Sequence, residues 1–266
     1  MIIKNRYIQA YLKTKPAFFA LIRPQELAHF AECFADKNLK DKKILDIGCG
    51  DGFFTSILVE DFLQKPQLTG VDISASVLEQ AKKWQFYQDL QEFNGVKLPF
   101  PDNNFDYIFS NCVLEHVARL PENLVETARV LKPGGFYYTS VMTDQWSEFL
   151  LGRKLFGKRY SDWLNKKQVH RNLLSQAAWQ KQFTDAGFKV VGQYGYFDKQ
   201  LARESEILHY LSVPTLISYK LFKKYILFPG FFDIVRIDKV IQKLLNRKFK
   251  SENSAAIFFI LQKENY

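Results

Sequence analysis

The apolar positions of this chain fall into short runs that alternate with longer segments of helical spacing. In the first half, the apolar runs predict strands and the periodic segments between them predict helices. The strands are expected at 43–47, 67–72, 105–110 and 136–141, and the helices at 53–62, 75–84 and 121–131. Because strand and helix alternate, we predict a parallel sheet with helices on both faces. Two later apolar runs, 188–194 and 255–261, predict further strands.

The first predicted strand ends in alternate glycines, Gly48, Gly50 and Gly52, and a helical segment follows at once. Glycines at this place form a tight turn at the carboxyl edge of a sheet, where a ligand can approach bare backbone. The free N–H groups and the positive dipole end of the next helix favour a carboxylate or a phosphate. The pattern therefore predicts a nucleotide-like cofactor.

The glycine spacing and two carboxylates narrow the choice of cofactor. The spacing G-x-G-x-G lacks the third glycine of a dinucleotide site, which would come three residues after the second. Asp46, just before the turn, would repel a pyrophosphate but suits a cationic amino group. Asp72 ends the second strand and can accept both hydroxyls of a ribose, which NAD and S-adenosylmethionine share. The glycine spacing and Asp46 therefore favour S-adenosylmethionine over a nicotinamide cofactor.

Four sequence blocks follow one another along the chain: residues 45–52, 70–74, 98–106 running on to 114–117, and 128–135. In order and spacing they resemble the class I S-adenosylmethionine-dependent methyltransferases, and among these the small-molecule methyltransferase type. The resemblance implies an α/β, Rossmann-like fold with a seven-stranded, mostly parallel sheet and helices on both faces. The seventh strand would be antiparallel, and this chain would add a helical insertion between the last two strands.

The resemblance also implies which residues bind the cofactor. The acid and backbone at the glycine turn would hold the methionine end, the acid after the second strand would hold the ribose, and the next residue would cover the adenine. Asn94 replaces the aspartate usual in the family at the adenine edge, and its amide carbonyl can accept the same hydrogen bond with less charge assistance. The implied set is Asp46, Gly48, Cys49, Gly50, Asp72, Ile73, Asn94, Gly95, Val96 and Asn111.

We predict four parts of the chain: an N-terminal helical cap over 1–40, a methyltransferase core over 41–197, a helical insertion over 198–250 and the final core strand over 251–266. Pro16 and Pro24 are expected to interrupt the helices of the cap.

The insertion is expected to be a lid over the acceptor, a membrane-facing patch or plain core. Its longest uncharged run, 207–219, has 13 residues, which is too short to span a bilayer. Nearby lysines and the pair Phe231 and Phe232 suit an interfacial contact with anionic lipid. Residues 233–250 have the spacing of one amphipathic helix with a basic outer face.

The net charge of +9 belongs to the second half of the chain. Residues 1–146 hold 16 basic and 18 acidic side chains, whereas residues 147–266 hold 21 and 10. This asymmetry indicates either an anionic partner, such as a phosphorylated substrate or a lipid surface, or a solvated lysine-rich face. No RNA-binding module or Pro-Pro motif supports a nucleic-acid substrate.

The three cysteines are widely spaced, with no CxxC pair, which is typical of a reducing compartment. The first residues have no sustained apolar run and no cleavage pattern, so we expect no signal peptide. We predict a cytoplasmic protein, with peripheral contact to the inner face of a membrane as a further option.

Two histidines are candidate catalytic residues. Methyl transfer from a sulfonium needs mainly orientation, a dry site and in some cases a base. His116 lies in the third block, where it either caps a loop or acts in catalysis. His170 lies where the acceptor side of the pocket is expected, and Arg171 beside it would disfavour its charged form, as a base requires. No constellation of metal ligands stands out.

We therefore predict an S-adenosylmethionine-dependent methyltransferase that acts on a small-molecule, sugar or lipid-linked acceptor, neutral or anionic, with oxygen favoured as the methylated atom. Two alternatives stay open. One is a catalytically silent module that keeps the cofactor pocket, and the other is a nicotinamide-dependent reductase.

Overall fold

Seven strands form one mixed sheet in the computed structural model, which describes residues 2–228, 230, 236–247 and 253–264. The strands are β1 Lys43–Ile47, β2 Gln67–Asp72, β3 Tyr87–Glu92, β4 Phe105–Asn111, β5 Leu131–Met142, β6 Phe188–Gly195 and β7 Ala256–Lys263. Their order in the sheet is β3-β2-β1-β4-β5-β7-β6, and β7 runs antiparallel to both of its neighbours. The predicted α/β, Rossmann-like fold is confirmed.

Helices cover both faces of this sheet. Those among the described residues are α1 Asn5–Thr14, α2 Phe19–Ala35, α3 Phe53–Leu58, α4 Ala75–Ala81, α5 Leu120–Val130, α6 Gln145–Phe149, α7 Leu151–Phe156, α8 Lys158–Lys167, α9 Gln176–Asp185, α10 Lys199–Leu211, α11 Val213–Phe222 and α12 Ile237–Leu245. One apolar core lies between the sheet and α5 and α9. The other lies between the sheet and most of the remaining helices. Burial on both faces explains why a central strand such as β7 is a continuous apolar run rather than an alternating one.

The register of the parallel strands brings the ends of β1, β2 and β4 to one edge of the sheet. Ile47 of β1 lies beside Val71 on one side and Ser110 on the other. The residues that follow these three are Gly48, Asp72 and Asn111, so the pairing alone assembles part of a site at the carboxyl edge. Ligands of open α/β sheets bind in this crevice.

Several local features differ from the sequence prediction. The helix expected over 53–62 ends at Leu58 and is followed by a 3-10 turn over Val59–Asp61. β3 has no predicted counterpart, because it is an edge strand of mostly polar residues and lacks an apolar run. The helix expected over 75–84 ends at Ala81. Pro24 lies inside α2 instead of interrupting it, since Leu21, Leu27 and Phe30 around it are fully buried against the core.

The insertion builds a helical layer beside the N-terminal helices. α10 packs against α2 and α6, and α12 packs against α1. The uncharged run divides at Ser212, where α10 ends and α11 begins with a proline in its first turn. One amphipathic helix was predicted over 233–250, and within the described residues of this range the structure has α12. Phe231 and Phe232 lie outside the described residues. In the described part of the chain, no helix has the length and apolar character needed to cross a membrane.

Candidate active site

The glycine turn after β1 needs glycine for its backbone conformation. Gly48, Gly50 and Gly52 all have positive φ angles, 71°, 54° and 73°. At Gly48 a Cβ atom would also come within 2.5 Å of the Val113 side chain. The turn is therefore both left-handed and closely packed, and a side chain at Gly48 would displace it.

Asp72 joins the turn to the end of β2. Its Oδ2 accepts the N–H of Gly50 at 3.0 Å, and its Oδ1 accepts the N–H of Ser74 at 3.0 Å. Each carboxylate oxygen has further lone pairs, so the anchored carboxylate can still accept two ribose hydroxyls. The backbone bonds fix its orientation before any ligand arrives.

Asp46 is the buried acid of the turn, with a side chain that is 3% exposed. Thr55 donates to its Oδ2 at 2.6 Å and the Tyr87 hydroxyl donates to the same atom at 2.5 Å. Burial raises the pKa of Asp46 to about 7, although both donors oppose the rise. A cationic amino group at this site would favour the ionised form of the carboxyl.

The residues predicted at the adenine edge lie close together. Ile73 is 66% exposed, and a Cβ atom on Gly95 would lie 3.5 Å from its Cγ2. Asn94 differs from the expectation, because its Oδ1 already accepts the N–H groups of Val96 and Lys97 at 3.0 and 2.8 Å. The oxygen expected to accept from adenine therefore stabilises the loop, and the side-chain NH2 of Asn94 is the group left for a ligand.

A cavity of about 280 Å³ opens beside the glycine turn, and helices of the N-terminal cap complete it. Its wall includes Asp46, the predicted Cys49 and the backbone of Gly48 and Gly50. It also includes nine residues outside the predicted set: Tyr11, Lys15, Phe19, Arg23, Asp51, Phe53, Phe54, Thr55 and Tyr225. Arg23, a cation within the mainly apolar α2, is the one sequence signal that could have marked this face.

Glu26 holds the junction between the cap and β4. This fully buried carboxylate accepts the Asn111 side-chain NH2 at 2.7 Å and the Tyr196 hydroxyl at 3.0 Å, and it pairs with Arg23 at 2.7 Å. Asn111 also accepts a hydrogen bond from Ser140 at 2.5 Å. Asn111 thus lines the cofactor cavity with both ends of its amide engaged, and it shapes the wall.

A second cavity, of about 370 Å³, adjoins the first through Phe19 and Arg23, which line both. Apolar and aromatic side chains from α2, α6, α8 and α10 contribute to its wall, among them Ile22, Trp146 and Leu164. Its polar groups include Glu115, His116 and His170. The shared wall puts an apolar chamber next to the cofactor cavity.

The two predicted catalytic histidines meet in this second cavity, with ring centroids 5.2 Å apart. His116 Nδ1 lies 3.2 Å from the Val169 carbonyl, which can only accept, so Nδ1 carries the proton and Nε2 is the acceptor. Burial lowers the pKa of His170 to about 4, with His116 as the second cause, and burial also lowers the pKa of His116. Arg171 was expected to disfavour the charged form of His170, but in the structure burial does so. Both rings are neutral at physiological pH.

Two acids line this cavity, and both were missed as candidates. Glu206 accepts hydrogen bonds from Tyr160 and from two backbone N–H groups, whereas Glu115 does not have such partners within the described part of the chain. The Glu115 side chain is fully buried, and neither carboxylate oxygen has a hydrogen-bond partner of good geometry among the described residues, although its own backbone N–H and the Cys112 thiol interact with it. Burial raises its pKa to about 7. Its backbone carbonyl accepts the N–H groups of Arg171 and Asn172 at 2.7 and 3.0 Å, and this contact brings His170 beside His116. A buried carboxylate without a well-placed partner is costly unless a ligand donor satisfies it.

No group of three or more His, Cys, Asp and Glu side chains within the described ranges is arranged to hold a metal ion.

Comparisons with known proteins agree with this geometry. Residues 45–139 match the family model of a methyltransferase domain. The chain is 36% identical over 113 residues to a demethylmenaquinone methyltransferase of Symbiobacterium thermophilum, a match covering 40% of this chain and 45% of that protein. The chain thus matches less than half the length of that relative. A demethylmenaquinone methyltransferase of Listeria welshimeri is 28% identical over 171 residues, 57% of this chain and 72% of that protein.

Among solved structures, geranyl diphosphate C-methyltransferase from Streptomyces coelicolor A3(2), in complex with S-adenosyl-L-homocysteine, has a TM-score of 0.59. The alignment has 15% identity and covers 90% of this chain and 76% of that one. At this identity the likeness supports the fold.

The fold, the glycine turn and the family model define a methyltransferase domain that uses S-adenosylmethionine. Residues 45–139 are a methyltransferase domain of the class I, S-adenosylmethionine-dependent type. The predicted family, enzyme class and cofactor are thereby confirmed. The nicotinamide-dependent reductase is set aside.

Proposed function

We propose that this protein transfers a methyl group to a small, mainly apolar acceptor, by O-methylation of a hydroxyl group. S-adenosylmethionine would supply a methyl group on a sulfonium, and the neutral thioether S-adenosylhomocysteine would leave as the carbon–sulfur bond breaks. The shared wall of Phe19 and Arg23 supports a donor cavity and an acceptor cavity in direct contact. Two adjoining chambers meet the main requirement of the reaction, which is orientation in a dry site.

The residues around the first cavity fit the parts of the cofactor. Asp46 suits the ammonium group, since both of its hydrogen bonds end on Oδ2 and Oδ1 is left for a cation. Lys15 and Arg23 bring positive charge for the carboxylate, although each already pairs with an acid, Asp51 and Glu26. Asp72 suits the ribose, and Ile73 offers an exposed apolar face to the adenine.

The poorly satisfied carboxylate of Glu115 is the observation that carries the proposal for the acceptor. Both Glu115 oxygens are buried, so the side chain would turn toward the cavity on binding. An acceptor hydroxyl would then donate to one oxygen, satisfy its missing hydrogen bond and pass its proton there as the oxygen–methyl bond forms. A carboxyl with a pKa near 7 is half ionised at neutral pH and can take that proton. The neutral His116 and His170 would contact the acceptor beside it.

The relatives support a second candidate, C-methylation of a quinol, because two of them are demethylmenaquinone methyltransferases. Loss of a quinol proton to Glu115 would place negative charge on the ring, where a carbon atom can accept the methyl group. Loss of that carbon's own proton and return of a proton to the oxygen would then restore the quinol. The same base and the same apolar chamber serve both reactions.

Incubation of the protein with [methyl-13C]S-adenosylmethionine and a short-chain demethylmenaquinol, or a panel of phenols, tests the proposal. The carbon shift of the product separates an O-methyl ether from a C-methyl ring. Labelled methyl ether supports O-methylation, and labelled ring methyl supports the second candidate. Tight S-adenosylhomocysteine binding with no labelled product from any acceptor would favour the silent module.

A further inference from the structure

Exposed apolar side chains gather on two neighbouring parts of the fold. One part is α7 and α8, where Leu155, Phe156 and Trp163 are at least half exposed. The other is the end of α10 together with α11, where Leu211, Leu221 and Phe222 are more than half exposed. None of the residues of α11 is buried by the described part of the chain. We call these six side chains, together with the lysines of residues 153–167 and 213–228, the apolar–basic surface.

Two tyrosines join the halves of this surface and also line the acceptor cavity. The hydroxyl groups of Tyr160 and Tyr210 are 2.7 Å apart. The Tyr160 ring lies 6.1 Å from both Phe156 and Trp163. Tyr210 is 45% exposed and lines the second cavity. The cavity therefore opens at the apolar–basic surface.

The charge of the surface is strongly positive. Residues 153–167 hold six Lys or Arg and one acid, and residues 213–228 hold three Lys and no acid. Arg153 pairs with Glu148, and Lys158 pairs with Asp162. Most of the positive charge therefore stays available to an anionic partner, and a second copy of this chain would meet the same charge.

We propose that the apolar–basic surface docks on an anionic lipid bilayer and that the acceptor enters its cavity from the bilayer. Exposed aromatic and aliphatic side chains insert at the boundary of headgroups and acyl chains, while lysines attract anionic headgroups. The free energies of apolar insertion and of electrostatic attraction add. A surface that was only apolar or only basic would have just one of these contributions. The docking is independent of the proposed function, and only the route of the acceptor rests on it.

Flotation of the full chain with vesicles tests the docking without any turnover. Vesicles of phosphatidylcholine with about 30% phosphatidylglycerol should carry the protein at low salt, and pure phosphatidylcholine vesicles should not. High salt should release it. A wild-type protein that stays in solution with the anionic vesicles would overturn the proposal.

Two double variants separate the contributions to binding. Lys220→Glu with Lys224→Glu, and Phe156→Ser with Phe222→Ser, should each weaken vesicle binding by at least about tenfold. Lys181→Glu with Lys189→Glu, on α9 and β6, is the matched control with the same charge change and should bind like wild type. Equal weakening in the control would mean a general charge effect and would contradict a defined surface.

The phenylalanine variant also separates docking from chemistry. It should keep its affinity for S-adenosylhomocysteine and its turnover of a short-chain acceptor in solution, and lose turnover of a long-chain acceptor held in vesicles. A protein that floats but never transfers label contradicts the proposed function and leaves the docking intact. Sedimentation could instead reveal a dimer that is lost in the phenylalanine variant. That result would mean that the surface binds a second copy of the chain, and it would contradict docking on a bilayer.

Discussion

The cofactor side and the acceptor side of this molecule are built in different ways. On the cofactor side, Gly48, Gly50 and Asp72 follow directly from strand ends whose register places them together. On the acceptor side, Glu115 and His170 meet through a loop contact between residues more than 50 positions apart. The first is held by backbone geometry and the second by tertiary packing, so only the first leaves a contiguous sequence pattern.

The largest effect is expected at Glu115, the proposed base of the acceptor side. Glu115→Gln should lower kcat by about 100-fold or more, because the acceptor loses the group that takes its proton. Its affinity for S-adenosylhomocysteine should stay near wild type, since the residue faces the second cavity. Steady-state kinetics with calorimetry measure both quantities. Glu122→Gln, an exposed acid on α5, is the matched control.

On the cofactor side, Asp72→Ala should weaken S-adenosylhomocysteine binding roughly 100-fold, through loss of two charge-assisted hydrogen bonds. The fall should appear in calorimetry, with kcat at saturating cofactor nearly unchanged. Asp89→Ala, on the neighbouring edge strand β3, is the control. Unchanged affinity in the Asp72 variant would mean that this carboxylate does not bind the ribose.

The sites of these two variants also differ in how far they could be predicted from the sequence. The strands around the turn were predictable because buried parallel strands are continuous apolar runs, and the turn because its glycines have left-handed backbone. β3 was not, since an edge strand with exposed polar residues has no such signal. Asn94 was assigned a free oxygen that its own loop uses. Both the contact of Arg23 with the cofactor cavity and the missing partner of Glu115 depend on packing between distant segments.

The histidine pair gives a finer test of the acceptor side. With Glu115 as the base, His170→Gln should lower kcat/KM by about tenfold through lost contact with the acceptor. The cofactor affinity should not move. A loss of 100-fold or more in kcat would return the role of the base to His170, and no loss in either His170→Gln or His116→Gln would remove both from the reaction.

Asp46 predicts a pH dependence that belongs to the cofactor side alone. Its pKa is about 7, so its carboxyl gains a proton as pH falls through that value and no longer attracts an ammonium group. Affinity for S-adenosylhomocysteine should therefore fall by about tenfold between pH 8 and pH 6. Asp46→Asn should flatten this dependence in calorimetry. A wild-type affinity that is independent of pH over this range would contradict the assignment.

The most direct test of Glu115 as the base is the pH profile of kcat/KM for the acceptor at saturating S-adenosylmethionine, where the titration of Asp46 no longer limits binding. In wild type, kcat/KM for the acceptor should rise with pH through a group with a pKa near 7, as the Glu115 carboxyl loses its proton. In Glu115→Gln this rise should disappear, while the profile of His170→Gln should keep it. A rise that persists in Glu115→Gln and vanishes in His170→Gln would contradict the assignment of the base to Glu115.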